Sequence, residues 1–140
     1  MKNLTKILTF LTLTVIVMST NCGPLLENKP EDRTLAFFKA VCNGNVEEAV
    51  VMTWPIRYTR SEIEDHVRWL SEGMSQSKVT AIKVDNVRRR EPSPAEMANG
   101  IEETATVGIV FAYKSWLGWT DEWIVFSMVK IEGTWFVTDW

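Results

Sequence analysis

The 140-residue sequence contains one histidine and two cysteines, which are few residues for transition-metal or thiol chemistry. Cys22, Cys42 and His66 are widely separated along the chain and lack the spacing of zinc ligands. We therefore expect no metal site and no cofactor. The cysteines leave three alternatives open, which are a Cys22–Cys42 disulfide, a buried inert thiol at Cys42, and a chemically modified Cys22.

A surplus of positive charge is also missing. The chain has 15 basic and 18 acidic residues, which gives a formal net charge of −3. Because nucleic-acid-binding proteins normally present a basic surface to the phosphates, we expect no nucleic acid among the partners. Hydrophobic residues make up 46% of the chain and seven residues are tryptophan, so a folded core is expected rather than disorder.

The sequence has no apolar run long enough to span a membrane. Its longest run, Ile7–Met18, covers 12 residues and is interrupted by threonines, whereas a spanning helix needs about 20 apolar residues. Lys2 and Lys6 precede the run and small polar residues follow it. This arrangement is typical of an export signal. A buried core helix is the alternative, but the run has no polar face.

The end of this segment resembles a bacterial lipoprotein signal, in which an apolar residue and two small residues precede an invariant cysteine. Here Met18, Ser19, Thr20 and Asn21 precede Cys22. The resemblance implies that Cys22 is the first mature residue, with diacylglycerol on its thiol and an acyl chain such as palmitate on its amine. Such multiple chains form a lasting membrane anchor. The implied location is the bacterial cell envelope, and the outer membrane where the host has two, since no aspartate follows the cysteine.

The expected organisation is a signal peptide over residues 1–21, a tether over 22–30 and one domain over 31–140. Hydrophobic residues at helical spacing predict three helices in the first half of the domain, over residues 31–44, 45–54 and 61–74. Asn45 with Glu48, and Ser61 with Glu64, have the spacing of a capping box, which marks a helix start.

After residue 77 the hydrophobic period changes from 3.6 to 2, which predicts four strands over residues 78–91, 102–116, 122–132 and 134–140. The segment between the first two strands is rich in proline, serine and asparagine and predicts a loop. Helices followed by an antiparallel meander indicate an α+β fold with N-terminal helices packed on a four-stranded antiparallel sheet. Large apolar residues on both faces of the later strands indicate a curved sheet that encloses a pocket or carries a partner surface.

Three segments carry a resemblance to a known fold family: AFFKAVCNGNVEEAVVM, ATVGIVF and IVFSMVKIEGTWFVTDW. They resemble small, uncharacterised bacterial lipoprotein domains of the nuclear transport factor 2-like superfamily, including lumazine-binding-like lipoproteins. The matching motif positions are Gly44, Asn45, Glu47 or Glu48, Ala49, Lys130, Gly133, Trp135 and Val137. The resemblance implies a cystatin-like cone, in which a strongly curved sheet wraps around the helices. Its open end is a ligand pocket in some members and a partner-binding or packed surface in others.

We therefore expect a non-enzymatic, membrane-anchored envelope lipoprotein that binds a partner protein or a small apolar ligand through the open face of the cone. Trp116, Trp119 and Trp123 lie within eight residues, either as the rim of this site or within the core. The alternative is a small enzyme of the isomerase or hydrolase type that uses His66 or Asp121 together with Tyr113. That alternative requires these side chains to converge within hydrogen-bonding distance.

Three consecutive arginines, Arg88–Arg90, end the first predicted strand. Because side chains alternate along a strand, Arg88 and Arg90 are expected on one face and Arg89 on the other. The run is interpreted as a solvated strand end, or as a contact for an anionic headgroup or partner.

Overall fold

A computed structural model describes residues 28–140. The predicted signal peptide, Cys22 and most of the predicted tether lie outside these residues. Within the described part of the chain, every helix is too short or too polar to cross a membrane.

The first half of the domain forms three helices, α1 (Pro30–Cys42), α2 (Val46–Val51) and α3 (Arg60–Gln76). The N-cap of α3 is Thr59, two residues before the predicted Ser61, so the helix begins at Arg60. The Thr59 hydroxyl accepts from the amide of Glu62, whose carboxylate accepts from the amide of Thr59 at 2.7 Å. This reciprocal capping box satisfies two amides that have no partner inside the helix.

The second helix ends earlier than predicted because its last residues pair with the final strand. Thr53 forms a parallel bridge with Val137. The amide of Val137 donates to the carbonyl of Met52, and the amide of Trp54 donates to the carbonyl of Val137, both at 2.9 Å. The amides of Met52 and Thr53 still donate to the carbonyls of Ala49 and Val50, but at Trp54 the backbone pairs with the final strand and not with the helix.

The second half is an antiparallel meander in the order β1-β2-β3-β4. Its strands are β1 (Lys78–Arg90), β2 (Ile101–Ser115), β3 (Gly118–Ile131) and β4 (Thr134–Asp139). The predicted α+β class is therefore confirmed. The predicted loop between β1 and β2 instead contains a short helix, α4 (Pro94–Ala98), which Ser93 and Glu96 begin with a capping box.

The sheet is curved because its ladders are irregular. The β1–β2 pairing shifts register between Thr80 and Lys83, where Ala81 has a φ of 53°, and the β3–β4 pairing shifts between Ser127 and Met128. Such bulges bend a strand and increase its twist. The β3–β4 turn has positive φ at Glu132 and Gly133, as two-residue hairpin turns require.

The helices pack on one side of the sheet, which we call the inner face, and alternate residues point to the opposite, outer face. Inner-face residues are Ala105, Val107, Ile109 and Phe111 on β2, and Ile124, Phe126 and Met128 on β3. Phe37 and Phe38 of α1 are fully buried against them, with ring centroids 5.6 and 5.9 Å from that of Phe126. Aromatic side chains therefore fill the interior between α1 and the sheet.

Candidate functional site

The three clustered tryptophans are all exposed. Trp116 in the β2–β3 turn is 92% exposed, and Trp119 and Trp123 are each 56% exposed. Trp119 pairs with Lys114 and Trp123 with Val110, positions that alternate with the inner-face residues of β2. Both side chains therefore point from the outer face near the tip of the hairpin, and none of the three belongs to the core.

One edge of β3 is open near this tip. The last strand, β4, pairs only with Ser127–Ile131 of β3. Within residues 28–140, no strand pairs with the same edge over Gly118–Phe126. Backbone donors and acceptors along this stretch can therefore pair with an added strand.

A groove of about 390 Å³ opens at the end of the cone, where the last turns of α3 approach the inner face of the hairpin. Its lining includes Met74 from α3, Phe111 and Tyr113 from β2, and Glu122 and Ile124 from β3. We call this groove the mouth. The Phe111 ring packs on that of Phe38 at 4.9 Å, so the buried aromatic core forms the floor. The mouth suits an apolar group bounded by one carboxylate and one phenol.

The three residues of the enzyme hypothesis do not meet. Tyr113 lies at the mouth on the inner face, whereas Asp121 pairs with Ala112 and points from the outer face. His66 is exposed on α3 and contacts the ring of Tyr58 edge-on at a centroid distance of 5.0 Å. A proton transfer shared among these residues is therefore not supported by the geometry.

His66 lines a separate groove of about 190 Å³ together with Tyr58, Asp139 and Trp140. Within the described residues, the imidazole makes no hydrogen bond and no ion pair that would orient it as a base. Residues 28–140 also contain no group of three or more histidine, cysteine, aspartate or glutamate side chains placed to hold a metal ion.

Cys42 is half-buried at the end of α1 and packs against the core. Burial raises the pKa of its thiol to about 11, because desolvation disfavours the thiolate. At neutral pH the thiol stays protonated, which is the state of a structural cysteine rather than of a nucleophile.

The arginine run alternates as predicted. Arg88 and Arg90 pair with Thr106 and Thr104, while Arg89 pairs with Ala105 of the inner face. The Arg89 guanidinium lies 5.9 Å from the ring centroid of Trp135 and contacts Glu103 at 3.4 Å. Arg89 is thus held at the inner face, and the other two line the outer face.

No protein-family model and no curated protein sequence matches the chain. Solved structures do match. A SEC-C motif-containing protein from Psychrobacter arcticus is 13% identical with a TM-score of 0.56, covering 84% of this chain and 63% of its own. Aln2 from a Streptomyces species is 10% identical with a TM-score of 0.54, and the match covers 83% of this chain and 88% of Aln2. An NTF2-like transpeptidase from Campylobacter jejuni is 12% identical with a TM-score of 0.50, and the match covers 79% of this chain and 97% of the transpeptidase.

The chain has a nuclear transport factor 2-like fold. The curved-sheet cone expected from the sequence is thereby confirmed. The chain spans about 63% of the length of the Psychrobacter protein, and at these identities the similarity concerns the fold alone. The lipid anchor, the envelope location and the binding partner stay predictions.

Trp123 and Tyr113, both singled out from the sequence, line the mouth, but sequence reasoning missed Met74 and Glu122 there and the polar row of the outer face. Met74 ends a helical stripe, and Thr106 and Ser127 are single hydroxyls within apolar strands. Polar residues at alternate positions of two strands could have marked the row, but only the strand register aligns them.

Proposed function

We propose that this nuclear transport factor 2-like domain is a membrane-anchored envelope lipoprotein without enzymatic activity, and that it holds an apolar group at the mouth of the cone. The observation that supports this binding function is the mouth, which opens over an aromatic floor formed by Phe111 packed on Phe38. His66 and Asp121 do not reach Tyr113 at the mouth, so the geometry does not favour the isomerase or hydrolase alternative that uses these residues.

The route of the chain supports an outward-facing mouth. The Asn28 side chain donates to the carbonyl of Gly133, and the Trp135 indole donates to the carbonyl of Asn28 at 3.2 Å. The domain therefore begins beside the β3–β4 turn, while the mouth lies towards the other end of β3. Glu122 and Ile124 of the mouth lie nine and seven residues before Ile131, the last residue of β3, which corresponds to at most about 30 Å along the strand. An anchor at Cys22 would leave the mouth facing the aqueous envelope.

The anchor is tested by mass spectrometry of the mature protein and by metabolic labelling with a palmitate analogue. We expect an N-terminus at Cys22 that carries acyl chains, and loss of label in Cys22→Ala. Cys42→Ala is the matched control and should keep the label. A mature N-terminus at another residue would refute the anchor without affecting the mouth.

The mouth is tested with the neutral fluorophore N-phenyl-1-naphthylamine. Ile124 and Val125 are adjacent, aliphatic and both half-buried, but they point to opposite faces. Ile124→Gln should weaken binding about ten-fold, since it removes the contact of one aliphatic side chain. Val125→Gln is the control and should leave binding unchanged. Equal losses in both variants, or no binding by the unmodified chain, would contradict the assignment.

A partner protein is the second candidate occupant, which the open edge of β3 and the exposed Trp116 favour. An extended segment could add to this edge as a fifth strand. A photo-crosslinking residue at position 116 should give a distinct product in intact cells. The same crosslinking residue in place of Trp69, which is 73% exposed on α3, should not give that product. Identical products from both positions would argue against a specific partner at the edge.

A further inference from the structure

A groove of about 330 Å³ lies on the outer face, on the opposite side of the sheet from the core. Its floor is a polar row that crosses all four strands. Arg88 of β1 pairs with Thr106 of β2, Thr106 pairs with Ser127 of β3, and Ser127 pairs with Asp139 of β4. All four residues line the groove, and Arg57 from the α2–α3 loop borders it as well.

The donors that this row carries on its first three strands are unused. Within residues 28–140, the Arg88 guanidinium and the hydroxyls of Thr106 and Ser127 make no side-chain hydrogen bond and no ion pair. By contrast, the neighbouring hydroxyls of Thr104 and Thr138 donate to backbone carbonyls at 2.6 and 3.2 Å. Among the described residues, the row therefore has three free donors, one on each of β1, β2 and β3, beside hydroxyls that are already satisfied.

The two carboxylates that border the groove are paired differently. Glu96 receives two hydrogen bonds from Arg90, at 2.7 and 2.9 Å, so its charge is matched by a close bidentate partner. Asp139 meets Arg57 through a single exposed contact of 3.5 Å. That contact is weak enough for a stronger anion to compete for the Arg57 guanidinium.

We propose that this groove binds a phosphate group, with Arg88 and Arg57 neutralising its charge and with Thr106 and Ser127 donating to its oxygens. Guanidinium groups form strong charge-assisted bonds to phosphate, and hydroxyls supply further short bonds from the floor. A carboxylate ligand would use fewer of these donors than a tetrahedral dianion. The site lies on the opposite face of the sheet from the mouth and does not depend on the proposed apolar ligand.

The phosphate can come from a soluble phosphomonoester or from a lipid headgroup. Ser127 is four residues from Ile131, which places the groove about 13 Å along the strand from the turn that holds Asn28. Six residues from Cys22 to Asn28 span at most about 20 Å when extended. A headgroup of the bilayer that holds the proposed anchor is therefore within reach, and this source alone rests on the anchor.

The experiment is a calorimetric and NMR titration of the purified full chain in neutral detergent. The ligands are inorganic phosphate, glycerol 3-phosphate and dihexanoyl phosphatidic acid, with dihexanoyl phosphatidylcholine as the comparison for lipid partitioning. We expect the phosphate ligands to bind saturably and to shift the NMR signals of the Thr106 and Ser127 backbone amides. Tighter binding of the phosphatidic acid alone would identify a headgroup, whereas equal binding of all three phosphates would identify the soluble group.

Arg88→Gln should weaken phosphate binding at least about ten-fold, because it removes a charge-assisted donor. Thr106→Val keeps the side-chain shape and should weaken binding about three- to ten-fold. Arg68→Gln is the matched control, since Arg68 is an exposed arginine on α3 outside the groove, and it should bind as the unmodified chain does. Absence of binding, or equal affinity in Arg88→Gln with an unchanged melting temperature, would overturn the proposal.

Discussion

Replacing Phe38 by alanine tests whether the cone is held together by its aromatic interior. The Phe38 side chain is fully buried, and its ring centroid lies 4.9 Å from that of Phe111 and 5.9 Å from that of Phe126. Phe38→Ala removes both ring contacts and leaves a cavity directly beneath the mouth. The variant therefore links the stability of the core to the shape of the candidate site.

The expected magnitude follows from burial. Truncation of a fully buried phenylalanine costs about 3–5 kcal/mol, of which each lost aromatic pair accounts for about 0.5–1.5 kcal/mol. For a domain of this size, such a loss lowers the melting temperature by about 10–20 °C. Phe136→Ala is the control, because Phe136 is half-buried and contacts Trp54 at 5.2 Å. It should cost less than about 2 kcal/mol.

The assay is urea unfolding followed by tryptophan fluorescence, together with thermal unfolding in the presence of benzene. An apolar cavity that persists should bind benzene and recover part of the lost melting temperature in Phe38→Ala, but not in the unmodified chain. The reasoning is refuted if Phe38→Ala destabilises the protein no more than Phe136→Ala. Such a result would mean that the aromatic interior does not support the sheet.

Three further predictions concern individual side chains. The pKa of Glu96 is lowered to about 2, chiefly by the hydrogen bond from Arg90 and then by its N-cap residue. Because the folded pKa lies below the usual value, the capping of α4 should be complete above about pH 4.5 and lost only as the pH falls through about 2. Carboxyl NMR titration should show this, and Arg90→Gln should raise that pKa. Cys42 should react with iodoacetamide at pH 8 much more slowly in the folded chain than in urea, since burial raises its pKa to about 11; equal rates would contradict the burial. Ser71 donates to a buried helix carbonyl at 2.9 Å, so Ser71→Ala should cost about 1–3 kcal/mol in urea unfolding. The exposed Ser75 is the control, and Ser75→Ala should stay within about 0.5 kcal/mol.

The elements of this fold could be predicted because their signals are local. Helical and strand periods, the turn at Glu132 and Gly133 and the alternation of Arg88–Arg90 each depend on residues that are close in the chain. The N-cap of α3 was misplaced because Thr59 and Ser61 both stand three residues before a glutamate. Two equivalent local signals compete there, and in the structure the capping box forms at Thr59 and Glu62.

The sites could not be predicted to the same extent, because they combine residues from distant segments. The polar row needs the register that aligns Arg88, Thr106, Ser127 and Asp139, and a shift of one residue would turn each side chain to the other face. The separation of Tyr113 from Asp121 across the sheet depends on the same register. Sequence alone left both the enzyme and the binding hypotheses open at these positions.

The amino-acid sequence by itself determined the order of the three main helices and four strands, the alternation of their faces, and the expectation of an exported chain. These depend on hydrophobic period, turn chemistry and charge, which act over a few residues. Only the tertiary structure decided which tryptophans are exposed, where β3 has an open edge, and which donors line the outer groove. These features depend on the bulges that bend the sheet and on the short last strand, which covers only part of β3. Bulges and strand coverage are set by pairing between residues that are distant in the chain.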